Sequence, residues 1–137
     1  MNTLKTLAFA TTVTGLSMGP SLASANGLRD HQQINDGLLI IAIGDKIQDN
    51  CPSIEPRMFK AYSFAKTLER LAKNDGYTDD EIRAFVKDKA EKARVKGLAD
   101  TYLAQRGVQQ DDPLSYCTAG LNEIEKNSQI GVLLKTK

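Results

Sequence analysis

Apolar residues recur at helical spacing in four stretches of the chain. The first stretch, from Asp36 to Gln48, carries apolar residues on most faces of a helix, although its β-branched residues would also suit a strand. The residues at helical spacing are Leu38, Ile41, Ala42 and Ile47. We predict a helix here that is buried on most sides, in the middle of a core or against a partner.

The second stretch follows a break at two prolines in the segment CPSIEP. Ser53 is a candidate N-cap, and Pro56 is tolerated in the first turn of a helix because its missing N–H has no partner there. Gly76 suits the position that ends a helix after Asn74. The apolar stripe comprises Met58, Ala61, Tyr62, Ala65, Leu68 and Ala72. The sequence therefore predicts a second helix that buries this stripe.

The third stretch opens with TDDEIRAF, the clearest helix start in the chain. Thr78 and Glu81 have the spacing of a capping box, and acidic residues favour the positive end of a helix. We predict one helix of about 28 residues that ends at Gly107 and bends near Gly97. Its packing seam is predicted at small residues, namely Ala90, Ala93 and Gly97.

The fourth stretch begins at Asp112, a candidate N-cap, followed by Pro113 at the first helical position. Its predicted buried face comprises Leu114, Cys117, Leu121 and Ile124. The apolar segment after it, residues 130–134, is too short for an independent element, and either packs back on the helices or contacts another molecule. Four helices with short connections predict an all-α fold, a small helical bundle.

Residues 1–25 have the layout of a secretory signal peptide. A short start with one basic residue, Lys5, precedes a weakly apolar segment. Small residues after that segment form a predicted signal-peptidase site with cleavage after Ala25. A membrane anchor is the alternative, but the segment is short and rich in Thr, Ser and Gly. We therefore expect a single helical domain over residues 26–137, located in the periplasm and without a transmembrane segment.

Charge and composition narrow the classes of partner. Removal of residues 1–25 takes away one basic residue and leaves a mature chain without net charge, which provides no long-range attraction to nucleic acid. The absence of tryptophan and an aromatic content of 6% disfavour a stacking platform for single strands. The one basic cluster, KDKAEKARVK at residues 87–96, is either a solvated helix face or a docking surface for an acidic partner.

Cys51 and Cys117 are the two cysteines of the chain. In an oxidising compartment such a pair is interpreted first as a structural disulfide, whose loop of about 67 residues would contribute roughly 4 kcal/mol to stability. Free or intermolecular thiols and a redox or metal role are the alternatives. The chain has no C-x-x-C motif, and a thiolate metal site would need more ligands than the single histidine adds. We predict the disulfide Cys51–Cys117.

Groups suited to catalysis are few. The single histidine, His31, lies in a polar leader, residues 26–33, that we expect to be frayed. The acidic residues at 79–81 and 111–112 stand where helix starts favour acids. The chain contains no P-loop, dinucleotide-binding turn, H-E-x-x-H or EF-hand motif. We therefore predict no catalytic residue, no cofactor, no metal site and no enzymatic activity.

Five short stretches resemble an uncharacterised family of small secreted alphaproteobacterial proteins, known only as a domain of unknown function. They are NCP at 50–52, GYTDDEIRAFV at 76–86, YLAQRGV at 102–108, SYC at 115–117 and IGVLL at 130–134. The resemblance implies no catalytic residue. It also implies a role in the envelope, because some members are encoded near genes of the proton-pumping NADH dehydrogenase.

These observations favour a non-enzymatic periplasmic or envelope protein that binds another protein, for example as an accessory to an envelope or respiratory complex. Export, the two cysteines and the apolar surplus at residues 37–44 and 130–134 motivate this hypothesis. A periplasmic acid-stress chaperone is a second hypothesis. An enzyme or a small-ligand carrier is a third, and it would need a cavity of at least roughly 300 Å³.

Overall fold

The computed structural model describes residues 26–137, so the predicted signal peptide lies outside the described residues. The helices in this part are α1 (Asn26–Asp30), α2 (Gln32–Asn50), α3 (Met58–Asn74), α4 (Asp79–Lys87), α5 (Lys89–Ala104) and α6 (Pro113–Glu125). Strands β1 (Ile54–Pro56) and β2 (Leu134–Thr136) and a 3₁₀ turn, Gly131–Leu133, complete it. The fold is mostly helical, as predicted, but it has six described helices rather than about four.

Helix α2 is the central element, and α3, α5 and α6 all pack against it. Ile43 and Ile47 on one side of α2 enter the main hydrophobic core. Gly120 of α6 allows a close approach there, since a Cβ at this position would lie 2.6 Å from Ile47 Cγ2. The prediction of a helix in the middle of the core is confirmed, although the helix starts four residues earlier than Asp36.

The polar leader is ordered rather than frayed. Leu28 is buried in a second core cluster with Ile34, Ala72 and Phe85. His31 caps α2, because its Nδ1 accepts a hydrogen bond from the N–H of Ile34 at 3.4 Å, while Nε2 donates to Asp75 at 2.5 Å. The prediction for residues 26–33 was wrong because one apolar residue, Leu28, provides enough burial to fix the segment.

The predicted long third helix is two helices, α4 and α5, separated at Asp88. Asp88 has an extended backbone (φ −61°, ψ 128°), and its side chain accepts a hydrogen bond from the N–H of Glu91 at 2.8 Å as the N-cap of α5. Gly97 lies inside α5, which runs without interruption from Lys89 to Ala104. The predicted seam of small residues is exposed. It was wrong because the extended residue resets the phase of the helix, so α5 buries Glu91, Ala99 and Leu103 instead.

A two-stranded antiparallel ribbon replaces the predicted start of the second helix. Ile54 pairs with Thr136 and Pro56 with Leu134, so α3 begins only at Met58. Local sequence could not indicate this ribbon, because the two strands are distant along the chain. Most of residues 130–134 are buried: Ile130, Gly131, Leu133 and Leu134. This apolar segment therefore packs back on the helices.

Two predicted apolar faces are only partly buried. On α3 Ala72 is buried, whereas Met58 and Tyr62 are exposed. On α6 Leu114 and Leu121 are exposed. The residues that α6 buries are Tyr116, Ala119, Gly120 and Glu123. Helical spacing groups residues into faces, but the neighbouring elements decide which face is covered.

The disulfide Cys51–Cys117 is present, with the two Cα atoms 5.0 Å apart. It joins the C-cap of α2 to α6, and Cys51 is buried in the main core. The predicted pairing is confirmed.

Candidate binding groove

An apolar groove runs along α2 between α3 and α4, with a volume of about 540 Å³. Its floor consists of Ile34, Leu38 and Ile41 of α2, which lie on the side of the helix opposite Ile43 and Ile47. Ala65 and Leu68 of α3 form one wall, and Ile82 and Val86 of α4 form the other. Val86 is 49% exposed. We call this surface the α2 groove.

The apolar surface continues past Val86 towards α5. A neighbouring cavity of about 380 Å³ shares Leu38, Ile41 and Val86 with the α2 groove and adds Val95 of α5. Helix α2 is apolar on nearly all faces, and the main core covers only one side of it. Helices α3, α4 and α5 border the other side without closing over it, which leaves an apolar groove.

The charges on the α3 side of the α2 groove are paired. Lys66 lies 2.6 Å from Glu69, and Lys73 lies 3.0 Å from Glu69 and 2.6 Å from Asp79. Hydrogen bonds from Lys66 and Lys73 lower the pKa of Glu69 to about 2. Lys73 thereby links the end of α3 to the start of α4, so this wall is electrostatically balanced.

The α4–α5 side carries unpaired positive charge. Lys87 borders the α2 groove, Lys92 and Lys96 border the neighbouring cavity, and none of the three forms an ion pair with residues 26–137. The acidic residues that line that cavity are Asp45 of α2 and Glu91 of α5. Burial raises the pKa of Asp45 and Asp49 adds to this rise, while Lys96 opposes it. Part of the predicted basic cluster thus lies beside an apolar surface.

A buried carboxylate, Glu91, fixes the base of α5 against α1 and α2. Arg29 and Arg94 donate hydrogen bonds to it at 2.5 and 2.9 Å, and Arg94 also donates to Asn35 at 2.5 Å. Burial raises the pKa of Glu91, but the hydrogen bonds from both arginines outweigh burial, so the pKa stays below its ordinary value. This carboxylate is satisfied by its partners, which is typical of a structural role.

A second buried carboxylate, Glu123, joins α6 to α5 and to the C-terminal segment. Tyr102 and Ser128 donate hydrogen bonds to it at 2.7 and 2.5 Å, and Arg106 lies 3.2 Å away. Burial and the hydrogen bond to Glu123 raise the pKa of Tyr102 to about 12. Neither buried acid was predicted from the sequence, although the helical spacing of Glu123 from Tyr116 and Ala119 places it on their buried face.

The acidic residues singled out in the sequence cap helices. Glu81 accepts a hydrogen bond from the N–H of Thr78 at 2.8 Å, which completes the predicted capping box of α4. Asp112 accepts one from the N–H of Leu114 at 3.0 Å. Within residues 26–137, no group of three or more His, Cys, Asp or Glu side chains is arranged to hold a metal ion. No helix described here is long and apolar enough to cross a membrane.

Comparison with curated proteins and with solved structures gives no match to the chain. A family model does match, over residues 26–135, which includes both cysteines and every helix described above. The resemblance to an uncharacterised family is thereby confirmed: the chain belongs to a family of unknown function, DUF5333.

Proposed function

We propose that this protein is a non-enzymatic protein of the periplasm or cell envelope that binds another protein in the α2 groove. The observation that carries the proposal is the groove itself. This apolar groove is lined by Leu38, Ile41 and Val86, has a volume of about 540 Å³ and is left open by the fold. An uncovered apolar surface of this kind is typical of an interaction site.

The partner is an amphipathic helix with acidic residues along one flank. A groove between helices receives the apolar face of such a helix. The acidic flank would face Lys87, Lys92 and Lys96, which have no ion pair among residues 26–137. Charges of opposite sign at the rim would set the orientation of the bound helix.

Two findings support an extracytoplasmic location. The family match starts at residue 26, directly after the predicted cleavage site at Ala25. The disulfide Cys51–Cys117 is compatible with an oxidising compartment. An accessory role beside an envelope or respiratory complex is the context that the family resemblance suggests for such a partner.

Site-specific photo-crosslinking in intact cells tests the proposal. A photoreactive amino acid at Val86 should yield a discrete crosslinked protein, and the crosslinked segment should be a helix with an acidic flank. The same group at Ala93, an exposed position of α5 outside the groove, is the matched control and should yield no such product. Absence of a product from Val86, or identical products from both positions, would contradict the proposal.

A small-ligand carrier is a second candidate, favoured by the volume of the α2 groove. The volume of about 540 Å³ exceeds the roughly 300 Å³ at which ligand sites begin. Native mass spectrometry of the purified protein would then show an added apolar ligand, and an Ala65→Trp variant would lose it because the indole would fill the groove. A protein free of ligand in both forms would exclude this candidate.

A further inference from the structure

The first turns of α3 expose three large apolar side chains. Met58, Phe59 and Tyr62 are 67%, 93% and 65% exposed. They share one broad face of α3, because Tyr62 follows Met58 by four residues and Phe59 by three. Met58 and Tyr62 lie on the same stripe of α3 as the buried Ala72, but they stand at the first turns of the helix, where the stripe is exposed. We call this surface the α3 patch.

Basic residues border the Met58–Phe59 end of the α3 patch. Lys60 forms no ion pair among residues 26–137, and Arg57 donates its Nε hydrogen to the carbonyl of Leu134 rather than to a carboxylate. Lys135 pairs with Glu55 at 2.8 Å. Because Glu55 is the acidic residue of this border, the border keeps a net positive charge.

A shallow depression of about 510 Å³ lies beside Phe59 and is bordered by Arg57, Lys60 and Lys135. Its position places cationic side chains next to projecting apolar ones. An anionic headgroup in the depression would contact the cations while Met58 and Phe59 reach past it into the acyl region.

We propose that the α3 patch binds an anionic membrane surface. Met58, Phe59 and Tyr62 enter the interface between headgroups and acyl chains, and Arg57, Lys60 and Lys135 contact the headgroup phosphates. Apolar side chains inserted between snorkelling basic residues are the usual means of such binding. The proposal is independent of the α2 groove, since Met58–Lys60 line neither the groove nor its neighbouring cavity.

A lipid surface fits the α3 patch better than a second protein does. Phe59 is almost wholly exposed and projects from the fold, whereas the α2 groove is concave and receives a partner between its walls. The mature chain without net charge has no general attraction to anionic surfaces, so binding would depend on this local cluster of cations.

Vesicle binding of the full chain tests the proposal. Mass spectrometry of the purified protein establishes whether residues 1–25 remain attached. The protein should sediment with phosphatidylcholine vesicles that contain about 30% phosphatidylglycerol at about 0.1 M salt, and binding should weaken with added salt. Pure phosphatidylcholine vesicles should bind it at least tenfold more weakly. Failure to sediment with anionic vesicles would overturn the proposal and leave the α2 groove unaffected.

Paired variants separate the α3 patch from the rest of the surface. Phe59→Ser and Lys60→Glu should each weaken binding about tenfold or more, because one removes an inserted ring and the other reverses a charge beside the lipid. Leu98→Ser and Lys89→Glu remove an exposed apolar side chain and reverse a charge on α5, and these control variants should bind as the wild type does. Equal effects of the α3 and α5 variants would overturn the proposal.

The absence of tryptophan allows a direct measure of insertion. A Phe59→Trp variant should show a blue-shifted emission on anionic vesicles, while a Leu98→Trp variant should not. A shift that appears only with an added envelope protein, and not with vesicles, would assign the patch to a protein partner and overturn the membrane proposal.

Discussion

At the scale of single residues, close backbone contacts constrain this fold as strongly as large side chains do. Gly131 lies against the end of α6, where a Cβ would overlap the carbonyl group of Glu123. The lack of a side chain lets the 3₁₀ turn lie directly against the backbone of α6. An added Cβ at Gly97 would have no neighbour within 4 Å, so a side chain fits there, whereas none fits at Gly131.

We expect Gly131→Ala to destabilise the protein by about 3 kcal/mol or more, since a backbone segment must move to relieve the overlap. Gly97→Ala should stabilise it by roughly 0.5–1 kcal/mol, because alanine is the better residue inside an exposed helix. Urea unfolding of both variants measures the difference. Two changes of the same sign would contradict this account of the glycines.

At the scale of elements, the division between α4 and α5 determines which face of α5 is buried. The side chain of Asp88 accepts the hydrogen bond that starts α5, and Glu91 in the first turn of α5 is buried against Arg29. In a continuous helix, the residues after Asp88 would be rotated about the helix axis, and another face would lie against α2.

Asp88→Ala should lower the free energy of unfolding by about 1 kcal/mol, because the N–H of Glu91 loses its acceptor. Asp88→Asn keeps an acceptor oxygen and is the control, with a change of only a few tenths of a kcal/mol. Urea unfolding followed by circular dichroism measures both. An alanine variant as stable as wild type would indicate that the cap does not hold the break.

At the scale of the whole molecule, the disulfide connects distant parts of the chain, with 66 residues of sequence separation. Replacing both Cys51 and Cys117 by alanine should destabilise the protein by roughly 4 kcal/mol in the chain-entropy model. Urea unfolding of the oxidised wild type, the reduced wild type and the double variant measures this. A reductant should change the wild type and leave the variant unchanged, and a wild type insensitive to reduction would contradict the prediction.

Acid should also weaken the whole molecule. The pKa values of Glu55, Glu69, Glu81 and Glu91 all lie below their ordinary value of 4.5, and that of Glu69 is about 2. A carboxyl group with a lowered pKa in the folded state contributes stability above the unfolded pKa and loses it as the pH falls through the folded pKa. The contribution should therefore be complete above about pH 4.5 and disappear towards pH 2.

Urea midpoints measured between pH 6 and about pH 2 should fall across this range. A Glu69→Gln variant should lose part of the fall, because it removes the carboxylate that Lys66 and Lys73 bind. Midpoints independent of pH would contradict the prediction. An apolar dye measured in the same samples would report whether acid exposes apolar surface, as the chaperone hypothesis requires.

The sequence by itself determined the features that depend on near neighbours. The capping box at Thr78, the N-cap at Asp112 and the apolar character of α2 follow from residues a few positions apart. The cysteine pairing also followed from sequence, because two cysteines permit one intramolecular pair. The break at Asp88 was not predicted but could have been, since Asp88 and Glu91 have the spacing of an N-cap and the third helical residue after it.

Tertiary structure alone decided the features that depend on distant residues. The pairing of β1 with β2, the ordering of the leader through Leu28 and the exposure of Met58 and Leu114 each depend on which segments meet in space. The α2 groove is the clearest case: hydrophobic spacing marks Leu38 and Ile41 as apolar, but only the positions of α3 and α4 leave them partly exposed in a groove. Burial is a property of pairs of surfaces, and a periodic pattern describes one surface at a time.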